Sequence, residues 1–153
     1  MFKKILWATD FTEHARHAGQ RALQCAQCSD AILYALTVVD PEELPEILEH
    51  IPDPFGSQEE EEQLEWRLEQ EHQRRVLDQL DREVQSVRDD GATVKTLLRI
   101  GVPWRQIVRT AEDLGVTLIV IGSHAKRTLE DVLLGGTVDN VTKRATCPVL
   151  IVR

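Results

Sequence analysis

The sequence predicts an α/β fold, an open, doubly wound, five-stranded parallel sheet with helices on both faces. Short apolar runs alternate with amphipathic helical stretches along the whole chain, the order expected of right-handed βαβ units. Two of those runs, residues 31–39 and 117–121, are apolar almost throughout, which suits strands covered on both faces. With 153 residues, 42% of them hydrophobic, the chain can bury one sizeable core and not two, so residues 1–153 are expected to form a single domain.

The first strand is expected over residues 3–8, where Ile5, Leu6, Trp7 and Ala8 form an apolar run that ends in Thr9 and Asp10. A helix then begins near Thr12 or Glu13, carries Ala15, Ala18, Ala22, Leu23 and Cys25 or Ala26 on one stripe, and ends near residues 28–30. Residues 31–39 make the second strand. Pro41, Pro45, Pro52, Pro54 and Gly56 keep residues 40–57 from being one regular element, beyond a helical turn around residues 46–50. An excursion of this kind over the strand ends is a common form of functional lid.

A charge-rich helix is expected over about residues 58–89, with acidic Glu59, Glu60, Glu61 and Glu62 at its N-terminal end, where the helix dipole favours them. Leu77, Leu80, Val84 and Val87 form a stripe that packs the other end on the sheet, too short a repeat for a coiled coil. Gly91 is read as its C-cap. A third strand covers residues 92–100, and Gly101, Val102 and Pro103 turn the chain into a helix that starts at the proline and stops at Gly115. The buried strand 117–121, a polar loop over residues 122–136, a helix over 137–144 and a last strand over 149–152 complete the order.

The formal net charge of −8 argues against nucleic-acid or anionic-membrane partners, either of which needs a basic surface. No stretch approaches the about 20 apolar residues of a membrane span, and the start of the chain does not read as a signal peptide. Three cysteines are too few and too unevenly placed for a disulfide framework, which together with the absent leader predicts a cytoplasmic protein.

Ligands of an open parallel sheet gather at the carboxyl ends of its strands. Asp10 stands at such an end, where a carboxylate either accepts hydrogen bonds from a ribose hydroxyl or caps the following helix. The loop after the fourth strand runs from Gly122 through Ser123, His124, Ala125, Lys126 and Arg127 to Gly135, Gly136 and Thr137. Its glycine-rich end at a helix start offers backbone N–H groups, a hydroxyl and the positive helix end to a phosphate, or else serves as a turn and cap. Lys126 and Arg127 add positive charge. The loop is not a Walker A motif, which requires a glycine-lysine-serine/threonine run.

Ile5 to Asp10, Leu36 to Asp40, Gly101 through Ile107, Leu118 to His124 and Cys147 to Arg153 resemble, in that order and over nearly the whole chain, the universal stress protein family. The resemblance implies a Rossmann-like sheet of strand order 3-2-1-4-5 with an adenine-nucleotide site for ATP or AMP, with magnesium carried by the nucleotide. It carries the acidic ribose contact onto Asp10 and an adenine contact onto Val38. The family's nucleotide loop has three glycines followed by serine or threonine. Gly122 and Gly135 match the first and third, Ala125 stands at the second, and Gly136 takes the hydroxyl position, displacing the hydroxyl to Thr137. The alanine methyl hinders a phosphate only if that position needs a positive φ. The displaced hydroxyl removes one charge-assisted hydrogen bond, worth roughly 1.5–3 kcal/mol, unless Thr137 or the Gly136 amide replaces it. A weakened nucleotide site is expected, serving as a regulatory or stabilising ligand site in stress response. The alternative is a nucleotide-free interaction module.

Other groups read more plainly. Cys25 and Cys28 have redox spacing but sit at the wrong helix end to activate a thiol, and are expected in the core. His14 and His17 are expected on a solvated helix surface, and Trp66 and Trp104 as cover for the core. No acid–base pair or nucleophilic triad can be assigned, leaving at most slow ATP hydrolysis; the loops of ATP pyrophosphatases and nucleotidyl transferases are absent. The strand over residues 149–152 has no charge or proline to blunt its edge, and in the family the last strands of two subunits pair. Both lines predict a homodimer.

Overall fold

The structure is a computed structural model that describes residues 1–43, 58–88, 91–123 and 136–153. Five parallel strands, β1 (Lys4–Ala8), β2 (Ile32–Val39), β3 (Val94–Ile100), β4 (Leu118–Gly122) and β5 (Val149–Val152), pair in the order β3-β2-β1-β4-β5. Register places Leu6 beside both Tyr34 of β2 and Ile119 of β4. Among the described residues four helices flank the sheet, α1 (Glu13–Ser29), α2 (Gln58–Val87), α3 (Pro103–Leu114) and α4 (Thr137–Arg144).

Strand side chains alternate between two cores, as their period of two requires. Ile5, Trp7, Leu33, Ala35, Leu118 and Val120 face one side, where Ala18, Ala22, Leu23 and Ala26 of α1 and Leu80, Val84 and Val87 of α2 cover them. Leu6, Ala8, Leu36, Ile119 and Ile121 face the other, under Ile107 and Ala111 of α3 and Val141 of α4. A sheet buried on both faces explains why β2 and β4 read as continuous apolar runs. Trp7 is fully buried, and its indole N–H donates to the Ala15 carbonyl at 2.8 Å. It lies against Gly19, where an added Cβ would come within 2.6 Å of the indole Cε2.

Five local expectations need correction. The long helix ends at Val87, so Gly91, with φ 110°, belongs to the turn before β3 and is not the helix cap. Leu77 lies at the edge of the buried stripe and is 37% exposed. Trp66 is 62% exposed and covers no core. It lies about 21 Å before Leu80 along α2, and by His72 and Val76 the helix already faces the cleft described below instead of the packed sheet. Cys28 is exposed, while Cys25 does pack against the core. Half-buried His14 is drawn in because its backbone meets the end of β4, whereas His17 is exposed beside Glu13. Trp104 packs against the α3 side of the core, with the Arg144 guanidinium 4.5 Å from its ring centre.

The excursion over residues 41–57 begins with a 3-10 turn, Pro41–Glu43, whose Glu42 N–H donates to Asp40 Oδ1 at 3.0 Å. Its remainder, including the turn expected around residues 46–50, lies outside the described residues. No described helix is long and apolar enough to cross a membrane.

Candidate functional site

At the carboxyl ends of β1, β2 and β4 lies a cleft of 560 Å³. The sheet order produces it, because β1 leads to α1 on one face while its neighbour β4 leads toward α4 on the other. Asp10, Val38, Gly122, Gly136 and Thr137 all line it. Residues far apart in sequence, named there as candidates, therefore meet at one place. His124, Ala125, Lys126, Arg127 and Gly135 lie outside the described residues.

Asp10 is not the helix cap. Thr12 is, its hydroxyl oxygen accepting from the Ala15 N–H at 3.3 Å. Asp10 braces that cap, its Oδ1 accepting from the Thr12 N–H at 3.1 Å and the Thr12 hydroxyl at 2.5 Å. The carboxylate thus joins the cleft wall and ties the β1–α1 loop to the helix start.

Gly122 ends β4 against the first turn of α1, where an added Cβ would lie 2.6 Å from the carbonyl carbon and oxygen of His14. The need for glycine here is close helix packing. Across the cleft, Gly136 is the N-cap residue of α4 and offers no side chain, so the N–H groups of that helix start border the cleft beside Thr137 and Asp139. Thr137, which carries the displaced hydroxyl, does line the cleft. Val38 and Val39 of β2, with Pro103 and Ile107 of α3, supply an apolar side.

Sequence reading missed Thr9 and Glu83. Both are buried, and the Thr9 hydroxyl donates to Glu83 Oε1 at 2.6 Å. Burial pushes the Glu83 carboxyl above its ordinary range, with the Thr9 hydroxyl and the charge of Arg16 opposing the shift and Asp10 adding to it. The signal was present: Glu83 sits inside the Leu80, Val84, Val87 stripe, where a carboxylate needs a partner. Also missed were His72, Val76 and Gln79 of α2, which line the cleft from one helical face.

The family model described as "Universal stress protein family" matches residues 1–153. Universal stress protein MJ0577 of Methanocaldococcus jannaschii is 33% identical over 157 residues, covering 100% of this chain and 96% of that one. Its solved structure is similar with a TM-score of 0.76 at 31% identity, covering 99% and 96% of the two chains. A universal stress protein solved in complex with cAMP superposes with a TM-score of 0.66 at 23% identity, over 99% of this chain and 97% of that one. One from Archaeoglobus fulgidus, in complex with dAMP, does so at 0.61 and 18%, over 100% and 98%. These last two speak for the fold alone. With a matching family model over its full length, a relative of one-third identity and the sheet order expected of such a chain, this protein belongs to the universal stress protein family.

Proposed function

We propose that this protein binds an adenine nucleotide, ATP or AMP, in the cleft at the strand ends, as a regulatory or stabilising ligand. The convergence of Asp10, Val38, Gly136 and Thr137 on one cleft supports this reading most directly. A carboxylate suits ribose hydroxyls, an apolar wall suits a base, and the positive end of a helix start suits phosphate. The cleft, at 560 Å³, lies within the range of small-molecule sites. Proteins of this fold hold cAMP and dAMP, which adds support at the level of the fold. Magnesium would be carried in by the phosphates of ATP.

The test is the thermal midpoint with and without ATP and magnesium. A ligand at about 100 times its Kd stabilises the native state by roughly 2.7 kcal/mol, a rise of several degrees. That rise should shrink markedly in Asp10→Ala. Absence of any rise in the wild-type chain at millimolar ATP would defeat the proposal.

A second feature favours a dimer. β5 is an edge of the sheet, paired only with β4 among the described strands, and its Leu150 and Ile151 are 37% and 39% exposed. An unblunted apolar edge invites pairing, and we propose that two copies join through β5. All three cysteines are free thiols, which supports a cytoplasmic setting.

A further inference from the structure

We infer, building on the nucleotide reading above, that Glu83 is a positioning residue for the cleft, acting on Asp10 through Thr9 and Phe11. Glu83 projects from α2 into the space between that helix and the end of β1, where it is buried. A carboxyl group there needs a hydrogen-bond partner. The partner is Thr9, whose single hydroxyl proton goes to Glu83 Oε1 at 2.6 Å. The Thr9 oxygen accepts in turn from the Phe11 N–H at 3.1 Å.

Phe11 has a φ of 65°, a left-handed conformation that a bulky aromatic residue rarely adopts. Such a backbone persists only where its surroundings over-determine it. Here the bridge from Glu83 through Thr9 holds the Phe11 amide from one side, and packing of the Phe11 side chain against the α1 face of the core holds it from the other. Asp10 lies between the two bridged residues. With Thr9 and Phe11 pinned, its carboxylate takes up the position in the cleft wall, braced onward to Thr12. Besides Thr9, the charged groups acting on Glu83 are Arg16 of α1 and Asp10 itself. Cutting the bridge frees Phe11 to return to negative φ and moves Asp10 away from the ligand.

The experiment is ATP affinity by isothermal titration calorimetry in magnesium, with circular dichroism and thermal midpoints to establish that each variant is folded. Glu83→Leu and Thr9→Val should each weaken ATP by about tenfold, the effect of one lost hydrogen bond. Glu83→Gln and Thr9→Ser keep the acceptor and the hydroxyl, and should recover affinity to within about threefold of wild type. In an Asp10→Ala background, Glu83→Leu should cost no further affinity, because its effect passes through Asp10. Full ATP affinity in a folded Glu83→Leu protein, or an undiminished further loss in the Asp10→Ala background, would overturn the positioning role while leaving the nucleotide reading intact. A wild-type chain that takes up no ATP would overturn both.

Discussion

Gly122 and His14 touch so closely that any side chain at 122 would strike the His14 backbone, with a Cβ 2.6 Å from its carbonyl carbon and oxygen. One glycine thereby sets how near α1 comes to the end of β4, beside the cleft. Gly122→Ala should destabilise the ligand-free protein by about 1–3 kcal/mol, as overpacking does. Urea unfolding without nucleotide checks this. An unchanged midpoint would mean that Gly122 serves only the ligand.

The contact between Gly19 and Trp7 makes the same demand inside the core. Trp7 is fully buried and pinned by its bond to Ala15, so the ring has no room to yield to a methyl group 2.6 Å from its Cε2. Gly19→Ala gains about 1 kcal/mol of helix propensity and should still lose stability overall. A rise in thermal midpoint would contradict this packing.

The pH dependence of stability should carry the mark of Glu83. Its carboxyl is raised above the ordinary value of 4.5, chiefly by burial. Between the unfolded and native pKa values the native state binds the extra proton, so stability from this group is full below about pH 4.5 and declines as pH rises through the native pKa. Glu83→Gln cannot ionise and should gain on wild type across that interval. Urea midpoints measured from acid to neutral pH should therefore diverge with rising pH; parallel curves would exclude a raised carboxyl.

Thiol reactivity should follow position in the fold. Cys28 is exposed at the end of α1, whereas Cys147 is half-buried and its thiol is pushed up by burial, leaving less thiolate. Iodoacetamide at neutral pH should modify Cys28 well before Cys147, as read by peptide mass spectrometry. Faster modification of Cys147 would show that the β4–β5 edge opens in solution.

The proposed dimer has a direct test at β5. Leu150→Lys places a charge on the exposed edge, the device natural sheets use against pairing. Sedimentation should show wild type as a dimer and the variant as a monomer. A monomeric wild type at concentrations well above micromolar would remove the proposal.

The strand and helix spans could be read from the chain because they depend on local pattern: the unbroken apolar runs of β1, β2 and β4, and the proline and glycine that bound α3; the sheet order came with the family resemblance. Errors fell where a local pattern had no tertiary counterpart. Trp66 continues the apolar side of α2 past the place where the sheet ends beneath it, and Cys28 falls on the helix end beyond the core. Of the candidate site, Asp10, Gly122, Gly136 and Thr137 were legible from their positions at strand ends and helix starts, and Val38 from the family resemblance.

Sequence by itself pointed to the family through the resemblance of its motifs, and determined the alternation of strands and helices and which stretches would meet at the carboxyl edge of the sheet, since these last follow from hydrophobic period and chain order. Only the tertiary structure decided that Thr12, and not Asp10, caps α1, that Gly122 is required by the His14 backbone, and that α2 reaches the cleft through His72 and joins Glu83 to Thr9. The physical reason is distance along the chain. A hydrogen bond of 2.6 Å between residues 9 and 83 depends on how a helix is laid across a sheet, and no local pattern encodes that placement.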